Sequence, residues 1–76
     1  MNAEFVPVSG EIIRRLRLMM GVKQTAAAEK LGITQQAYSK LEKRKKVSDE
    51  RLQSVLKALN CGQTELEEII KLNLPS

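Results

Sequence analysis

The chain has 76 residues, of which 42% are hydrophobic, and a net charge of +4 at pH 7, so it can form one domain with a thin core. It contains no histidine and one cysteine, Cys61, which excludes an intrachain disulfide, a cysteine-based zinc site and the commonest general base. There are also no paired carboxylates in a pocket pattern and no phosphate-cradling loop, so we expect a protein that is not an enzyme and holds no metal or cofactor.

Positive charge is concentrated in the first part of the chain. Residues 1–46 hold ten Lys and Arg against four Asp and Glu, a net charge of +6, whereas residues 47–76 carry a net charge of −2. This asymmetry favours one face for a polyanion, although an ordinary solvated surface would explain it equally well. No charged and apolar leader opens the sequence, and no apolar run approaches about 18 residues. We expect a cytoplasmic or nucleoid-associated protein without a membrane partner.

The first eight residues contain a proline and no helical pattern, which predicts an extended N-terminal arm over residues 1–8. One domain is predicted to follow over residues 9–74. Ser9 is the predicted N-cap of the first helix, and Gly21 ends it. The apolar positions at helical spacing in this helix, which we expect in the core, are Ile12, Ile13, Leu16, Met19 and Met20.

Two short helices are predicted next. The second helix covers about residues 24–31 and stops at Gly32, with an inner face formed by Ala27, Ala28 and Leu31. Thr34 is the predicted N-cap of the third helix. That helix continues to about Lys43, with an inner face formed by Ala37, Tyr38 and Leu41.

Two further helices complete the predicted fold, which is all-α because no credible pair of strands is present. Ser48 caps the fourth helix, and Asn60 can take the left-handed conformation at its end. Thr64 and Glu67 have the spacing of a capping box for the fifth helix. The expected inner residues are Leu52, Val55, Leu56 and Leu59 in the fourth helix and Leu66, Ile69 and Ile70 in the fifth.

The connection between the second and third helices is too short for a loose loop. It reads "GIT", and its tight turn needs a residue with positive φ, which Gly32 adopts without steric cost. Ala28 lies four residues before this glycine, where a larger side chain would push two crossing helices apart. The apolar side chains that can fill the angle between them are Leu31, Ile33, Tyr38 and Leu41. This pattern predicts a helix-turn-helix formed by the second and third helices.

At this point the sequence resembles a known family. The stretch "QTAAAEKLGITQQAYSKLE" is similar to the helix-turn-helix of phage repressor and Cro-like (XRE-type) regulators, while "IIRRLRLMMGVKQ" and "VSDERLQSVLKALN" are similar to the family's first and fourth helices. The matching positions are Arg17, Gln24, Ala28, Gly32, Leu41, Glu42 and Leu59. The resemblance covers about residues 10–70 and implies a five-helix, lambda-repressor-like DNA-binding domain.

Two glutamines begin the third helix, which is the helix that enters the DNA major groove in a helix-turn-helix. A glutamine amide can pair with adenine N7 and N6 together. We therefore predict base contacts by Gln35 and Gln36, by Lys40 one turn later, and by Ser39 beside it. Solvated polar residues without a partner are the alternative.

Contacts to the DNA backbone are expected from three places. Gln24 lies at the start of the second helix, where backbone amides favour an anion, and the matching family residue touches a phosphate. Thr34 can cap its helix and also meet a phosphate. The basic run at the end of the third helix exceeds what a helix C-terminus needs, and the matching family loop follows the backbone; its members are Lys43, Arg44, Lys45 and Lys46.

The resemblance also implies a partly buried ion pair between Arg17 and Glu42, which would hold the fold together rather than bind DNA. The sequence departs from the family after Glu42, where the usual glycine is missing. We expect the chain to turn there at Arg44 or Lys45, with backbone strain.

The predicted function is a sequence-specific regulator that binds double-stranded DNA, most simply as a homodimer on a palindromic operator, because one motif covers few base pairs. The fifth helix is the candidate dimer interface through Leu66, Ile69, Ile70 and Leu72, unless these residues pack within one subunit. A regulatory protein partner is a further possibility. The alternative function is a protein–protein adaptor, or an antitoxin-type module, that uses the fifth helix to bind its partner.

Overall fold

The computed structural model describes residues 8–73 and confirms the all-α class with five helices. They are α1 (Gly10–Met19), α2 (Gln24–Leu31), α3 (Gln35–Glu42), α4 (Asp49–Leu59) and α5 (Gln63–Asn73). The described residues contain no strand, only an isolated antiparallel β-bridge between Val8 and Val47. No helix within this part of the chain is long and apolar enough to cross a membrane.

Side-chain caps set three of the helix starts, as the sequence predicts. Ser9, Thr34 and Ser48 each lie in extended backbone immediately before a helix. Their hydroxyl oxygens accept hydrogen bonds from backbone amides three residues later, at 3.4, 3.1 and 3.1 Å. Each cap satisfies an amide that has no partner inside the helix. Lys23 precedes α2 and makes no side-chain cap.

Left-handed residues end the helices where the sequence places them. Gly32 follows α2 with φ 72°, and Asn60 follows α4 with φ 58°. Gly21 follows α1 with φ 70°. Among the described residues, Asn60 is the only non-glycine with positive φ. The expected strain at Arg44 or Lys45 is therefore wrong: the chain leaves α3 through Lys43 in right-handed backbone.

The core lies among the five helices: α1 packs on α3, α4 and α5, and α2 packs on α3 and α4. Tyr38, Ile13, Leu16, Leu59 and Val55 are its largest fully buried side chains. Ala27 and Ala28 are buried where α2 approaches its neighbours, and their small size permits this close packing. Val8 and Val47 join the same core, each 5% exposed.

Two expected core residues are exposed. Ala37 faces solvent in the first turn of α3, because that short helix buries only the side that carries Tyr38 and Leu41. Met19 is 43% exposed at the end of α1, while the neighbouring Met20 packs against the core. Ala37 and Met19 both lie at the edge of the apolar stripe of their helix, where the residue type does not determine whether the side chain is buried.

The start of α5 also differs from the prediction. The helix begins at Gln63, and the Glu65 carboxylate accepts a hydrogen bond from the Gly62 amide at 2.8 Å. This is the reciprocal half of a capping box, two residues before the predicted Thr64–Glu67 pair. Thr64 lies inside the first turn.

Of the predicted N-terminal arm, the structure describes Val8 alone; residues 1–7 lie outside the described part of the chain. Val8 is not a free arm residue, since its carbonyl accepts a hydrogen bond from the Val47 amide at 2.8 Å.

Candidate nucleic-acid interface

The helix-turn-helix is built by α2, the turn at residues 32–34, and α3. The Gly32 and Ile33 amides donate to the carbonyls of Glu29 and Ala28 at 3.1 and 3.0 Å, which closes the end of α2. Thr34 then caps α3 within two residues. The left-handed glycine and this cap set the angle between the helices, so α3 presents its N-terminal turn away from the core.

The predicted base-contacting residues lie on the outer surface of α3. Gln35, Gln36 and Lys40 are exposed, and Ser39 is partly exposed. Within residues 8–73 their side chains take part in no hydrogen bond or ion pair. Their donors and acceptors therefore remain available to a ligand.

A cationic loop follows this surface. The basic loop, which we define as residues 43–46, has four exposed side chains. None of them pairs with an acidic residue of the described chain. Its backbone is held at both sides: the Gly10 amide donates to the Arg44 carbonyl, and the Val47 amide donates to the Val8 carbonyl, each at 2.8 Å.

A surface groove beside α3 and the start of α4 adds a cation that the sequence analysis missed. Lys40, Arg44 and Arg51 contribute to its lining, and no lining residue is acidic. Arg51 lies in the first turn of α4, and only the folded chain brings it to the same groove as Lys40 and Arg44.

The two remaining predicted phosphate contacts have internal partners. The Gln24 amide nitrogen donates to a Glu42 carboxylate oxygen at 2.9 Å. The Thr34 hydroxyl accepts from the Ala37 amide at 3.1 Å. Gln24 therefore serves the packing of α2 on α3, a role that the sequence analysis did not assign.

Arg17 and Glu42 form the predicted ion pair, and they are 8% and 6% exposed. Arg17 Nε donates to Glu42 Oε2 at 2.6 Å, and Nη2 approaches Oε1 at 3.3 Å. Arg17 Nη1 also donates to the Val22 carbonyl at 2.9 Å. Glu42 thus joins α1, the start of α2 and the end of α3.

This arrangement changes the ionisation of its members. Burial opposes the charge of Glu42, but hydrogen bonds from Arg17 and Gln24 outweigh it, and the pKa of the carboxyl is lowered. The hydrogen bond to Glu42 raises the pKa of Arg17. Burial and the neighbouring Glu42 raise the pKa of Tyr38, whose hydroxyl is buried without a hydrogen bond to the described residues. Tyr38 is a core residue, as the sequence predicts.

The free cysteine, Cys61, is partly buried. Burial and the Glu65 carboxylate raise the pKa of the Cys61 thiol, which disfavours the nucleophilic thiolate. No three Cys, Asp or Glu residues between positions 8 and 73 come together as metal ligands.

The candidate dimer residues on α5 separate into two groups. Leu66 and Ile69 are buried in the core of their own subunit, which is the alternative that the sequence left open. Ile70 is partly buried against that core, and Leu72 is 80% exposed. Of the four candidate residues, Leu72 and the exposed edge of Ile70 therefore remain accessible for an interface on α5.

The geometry defines a class of protein. Two short helices meet through a left-handed glycine, and the second presents free amide side chains beside an unpaired cationic loop. This is a helix-turn-helix domain. Residues 13–71 match the sequence profile described as helix-turn-helix, so the chain belongs to the XRE-type helix-turn-helix family and is a DNA-binding transcriptional regulator.

Solved structures of the restriction-modification controller protein C.Esp1396I have a similar fold. Two point mutants each superpose with a TM-score of 0.68, at 23% and 25% identity; both alignments cover 82% of this chain and cover 85% and 83% of those chains. The wild-type protein gives a TM-score of 0.67 at 23% identity, with 82% and 83% covered. No curated protein matches the sequence significantly.

Proposed function

We propose that this chain binds double-stranded DNA in a sequence-specific manner, with α3 in the major groove. The observation that carries the proposal is the pair of exposed glutamines in the first turn of α3, which have no partner in the described chain. The N-terminal residues of such a helix reach base edges. Gln35 and Gln36 suit adenine N7 and N6, and Lys40 suits guanine O6 and N7 or a phosphate. Ser39 lies beside them as a shorter contact.

The basic loop supplies contacts to the DNA backbone in this proposal. Lys43, Arg44, Lys45 and Lys46 have no competing acidic partner among residues 8–73, so little needs to be broken before they meet phosphates. Arg51 extends the same surface through the groove that it shares with Lys40 and Arg44. These contacts provide affinity and register without reading the sequence.

Gln24 and Thr34 can keep their internal hydrogen bonds and still contact phosphates, because each residue uses a different group for the phosphate. The start of α2 has no side-chain cap, so its first backbone amides are free for an anion. Thr34 uses its hydroxyl hydrogen, since the oxygen already accepts from Ala37.

The functional unit in this proposal is a homodimer on a palindromic operator. Leu72 on α5 is 80% exposed, and Leu18 on the contacting helix α1 is 53% exposed. A contiguous exposed apolar patch favours association, and in this proposal both side chains contribute to one. Two copies would read half-sites about 34 Å apart, or one helical turn.

The same exposed Leu72 also fits the second candidate, an adaptor that binds another protein through α5. Salt dependence of duplex binding distinguishes the two. The regulator requires log affinity to fall with log salt at about 0.9 per phosphate contact. Weak binding with a flat salt dependence would support the adaptor and contradict the DNA-binding proposal.

A further inference from the structure

Three residues at the start of the described chain are attached to both sides of the basic loop. The Gly10 amide donates to the Arg44 carbonyl, and the Val8 carbonyl accepts from the Val47 amide, both at 2.8 Å. Val8 and Val47 form the β-bridge, and each is 5% exposed. We call residues 8–10 the N-terminal clamp.

Position 10 of this clamp requires glycine, because the backbone at the end of α3 lies very close to it. A Cβ at position 10 would overlap the carbonyl oxygen of Leu41 and would lie 2.5 Å from that of Glu42. The obstacle is backbone at the end of α3, which cannot swing aside as a side chain would. Any larger residue must move the start of α1 away from α3, and the hydrogen bond from position 10 to Arg44 would lengthen.

The basic loop has few other fixed points. Its side chains have no partners within residues 8–73, and its backbone has no left-handed residue to impose a turn. Besides the clamp, its backbone is held by amides of residues 43 and 44, which donate to Lys40 and Leu41. The clamp thus fixes the path between Arg44 and Val47. Fixing a backbone before binding reduces the entropy that the complex must lose.

We propose that the N-terminal clamp positions the basic loop for contact with DNA phosphates, so that Val8 and Gly10 are positioning residues for DNA affinity. This proposal rests on the proposed DNA-binding function. The clamp holds the end of α3 and the basic loop but makes no hydrogen bond to a base-contacting side chain, so it acts on affinity for all duplexes and leaves base preference unchanged.

The test compares Gly10→Ala with Gly62→Ala in the full chain. Gly62 precedes α5, and a Cβ there would meet only the Glu65 carboxylate oxygen at 3.3 Å, so this matched substitution leaves the loop untouched. Affinity for a selected duplex is measured from 50 to 200 mM salt under conditions where each variant is folded. We expect Gly10→Ala to reduce the slope of log affinity against log salt by about one to two, which corresponds to the loss of about one to two phosphate contacts. Gly62→Ala should retain the wild-type slope.

A wild-type slope in folded Gly10→Ala, or an equal loss in Gly62→Ala, would overturn the proposal. Amide hydrogen exchange of the unaltered protein provides a test that does not depend on the variant's folding. The amides of Gly10 and Val47 should exchange at least tenfold more slowly than those of Lys45 and Lys46; equal rates would also overturn it. If the wild type binds no duplex while those amides are protected, the DNA-binding function has failed and the clamp's role in affinity falls with it.

Discussion

Arg17 and Glu42, 25 residues apart in sequence, form a buried ion pair at 2.6 Å that connects α1 to the end of α3. Gln24 donates to the same carboxylate from the first residue of α2. A single carboxylate therefore fixes both helices of the helix-turn-helix against α1. The orientation of the exposed face of α3 depends on this junction, although none of its three residues belongs to the predicted base-reading set.

The ion pair predicts strong coupling between two substitutions. Arg17→Met or Glu42→Met alone should lower the free energy of unfolding by about 3 kcal/mol, because each leaves an uncompensated buried charge. The double substitution should cost less than the sum of the two singles, since both charges are then absent. Denaturant unfolding of the four proteins in the cycle measures the difference. Additive single costs would contradict the pairing.

The lowered pKa of Glu42 predicts a loss of stability in acid. A carboxyl whose folded pKa is depressed stabilises the protein above its ordinary pKa, about 4.3, and loses that contribution as pH falls through the folded value. The free energy of unfolding should therefore fall less steeply below about pH 4.3 in Glu42→Gln than in the wild type. Glu68→Gln is the control, since Glu68 is exposed. Parallel curves for wild type and Glu42→Gln would rule out this linkage.

Substitution of either left-handed glycine should lower the free energy of unfolding through backbone conformation alone. Gly32 and Gly21 have φ of 72° and 70°, and a Cβ at either would meet nothing within 4 Å. Gly32→Ala and Gly21→Ala should each destabilise the protein by about 1–2 kcal/mol. The two sites serve as controls for each other, because their backbone conformation is the same and their surroundings are equally open. An unchanged free energy of unfolding in both variants would contradict this prediction, because the turns would then have changed their backbone conformation without cost.

Much of this fold could be predicted because its signals are local. Caps such as Ser9 and Ser48, and stops such as Gly32 and Asn60, act within a few residues of themselves. Local rules failed where boundaries are gradual, as at Met19, or where two caps compete, as at Gly62 and Thr64. The resemblance to a family, and not periodicity, provided the Arg17–Glu42 pair.

The clamp and the wider basic surface could not be predicted, because they depend on distant segments that meet only in the folded chain. Nothing near Gly10 in sequence indicates that its missing Cβ accommodates the end of α3. Likewise, Arg51 resembles any helical surface residue until folding brings it to the same groove as Lys40 and Arg44. The exposure of Gln35 and Gln36 was expected, and the structure agrees; their contact with bases remains a prediction.

The exposed end of α5 predicts an effect on association. Leu72→Glu places a charge on a side chain that is 80% exposed, so the free subunit should keep its stability. The proposed dimer should dissociate at least tenfold more readily, because its apolar contact is replaced by a charge that must be desolvated. Sedimentation equilibrium measures the dissociation constant of the wild type and of Leu72→Glu. Lys57→Glu on exposed α4 surface is the control, and an unchanged dissociation constant for Leu72→Glu would exclude this interface.

The central claim, that the glutamine end of α3 reads bases while the basic loop supplies affinity, is tested most directly by selecting bound sites from a random duplex pool. The wild type, Gln35→Ala, Gln36→Ala and Lys46→Ala are compared at one salt concentration. We predict that the wild type enriches paired half-sites about 34 Å apart. Gln36→Ala should lose preference at particular positions, at about 1–3 kcal/mol for the preferred base, whereas Lys46→Ala should bind every duplex more weakly with its preferences intact. An unchanged preference after both Gln35→Ala and Gln36→Ala, or no enrichment by the wild type, would contradict the account.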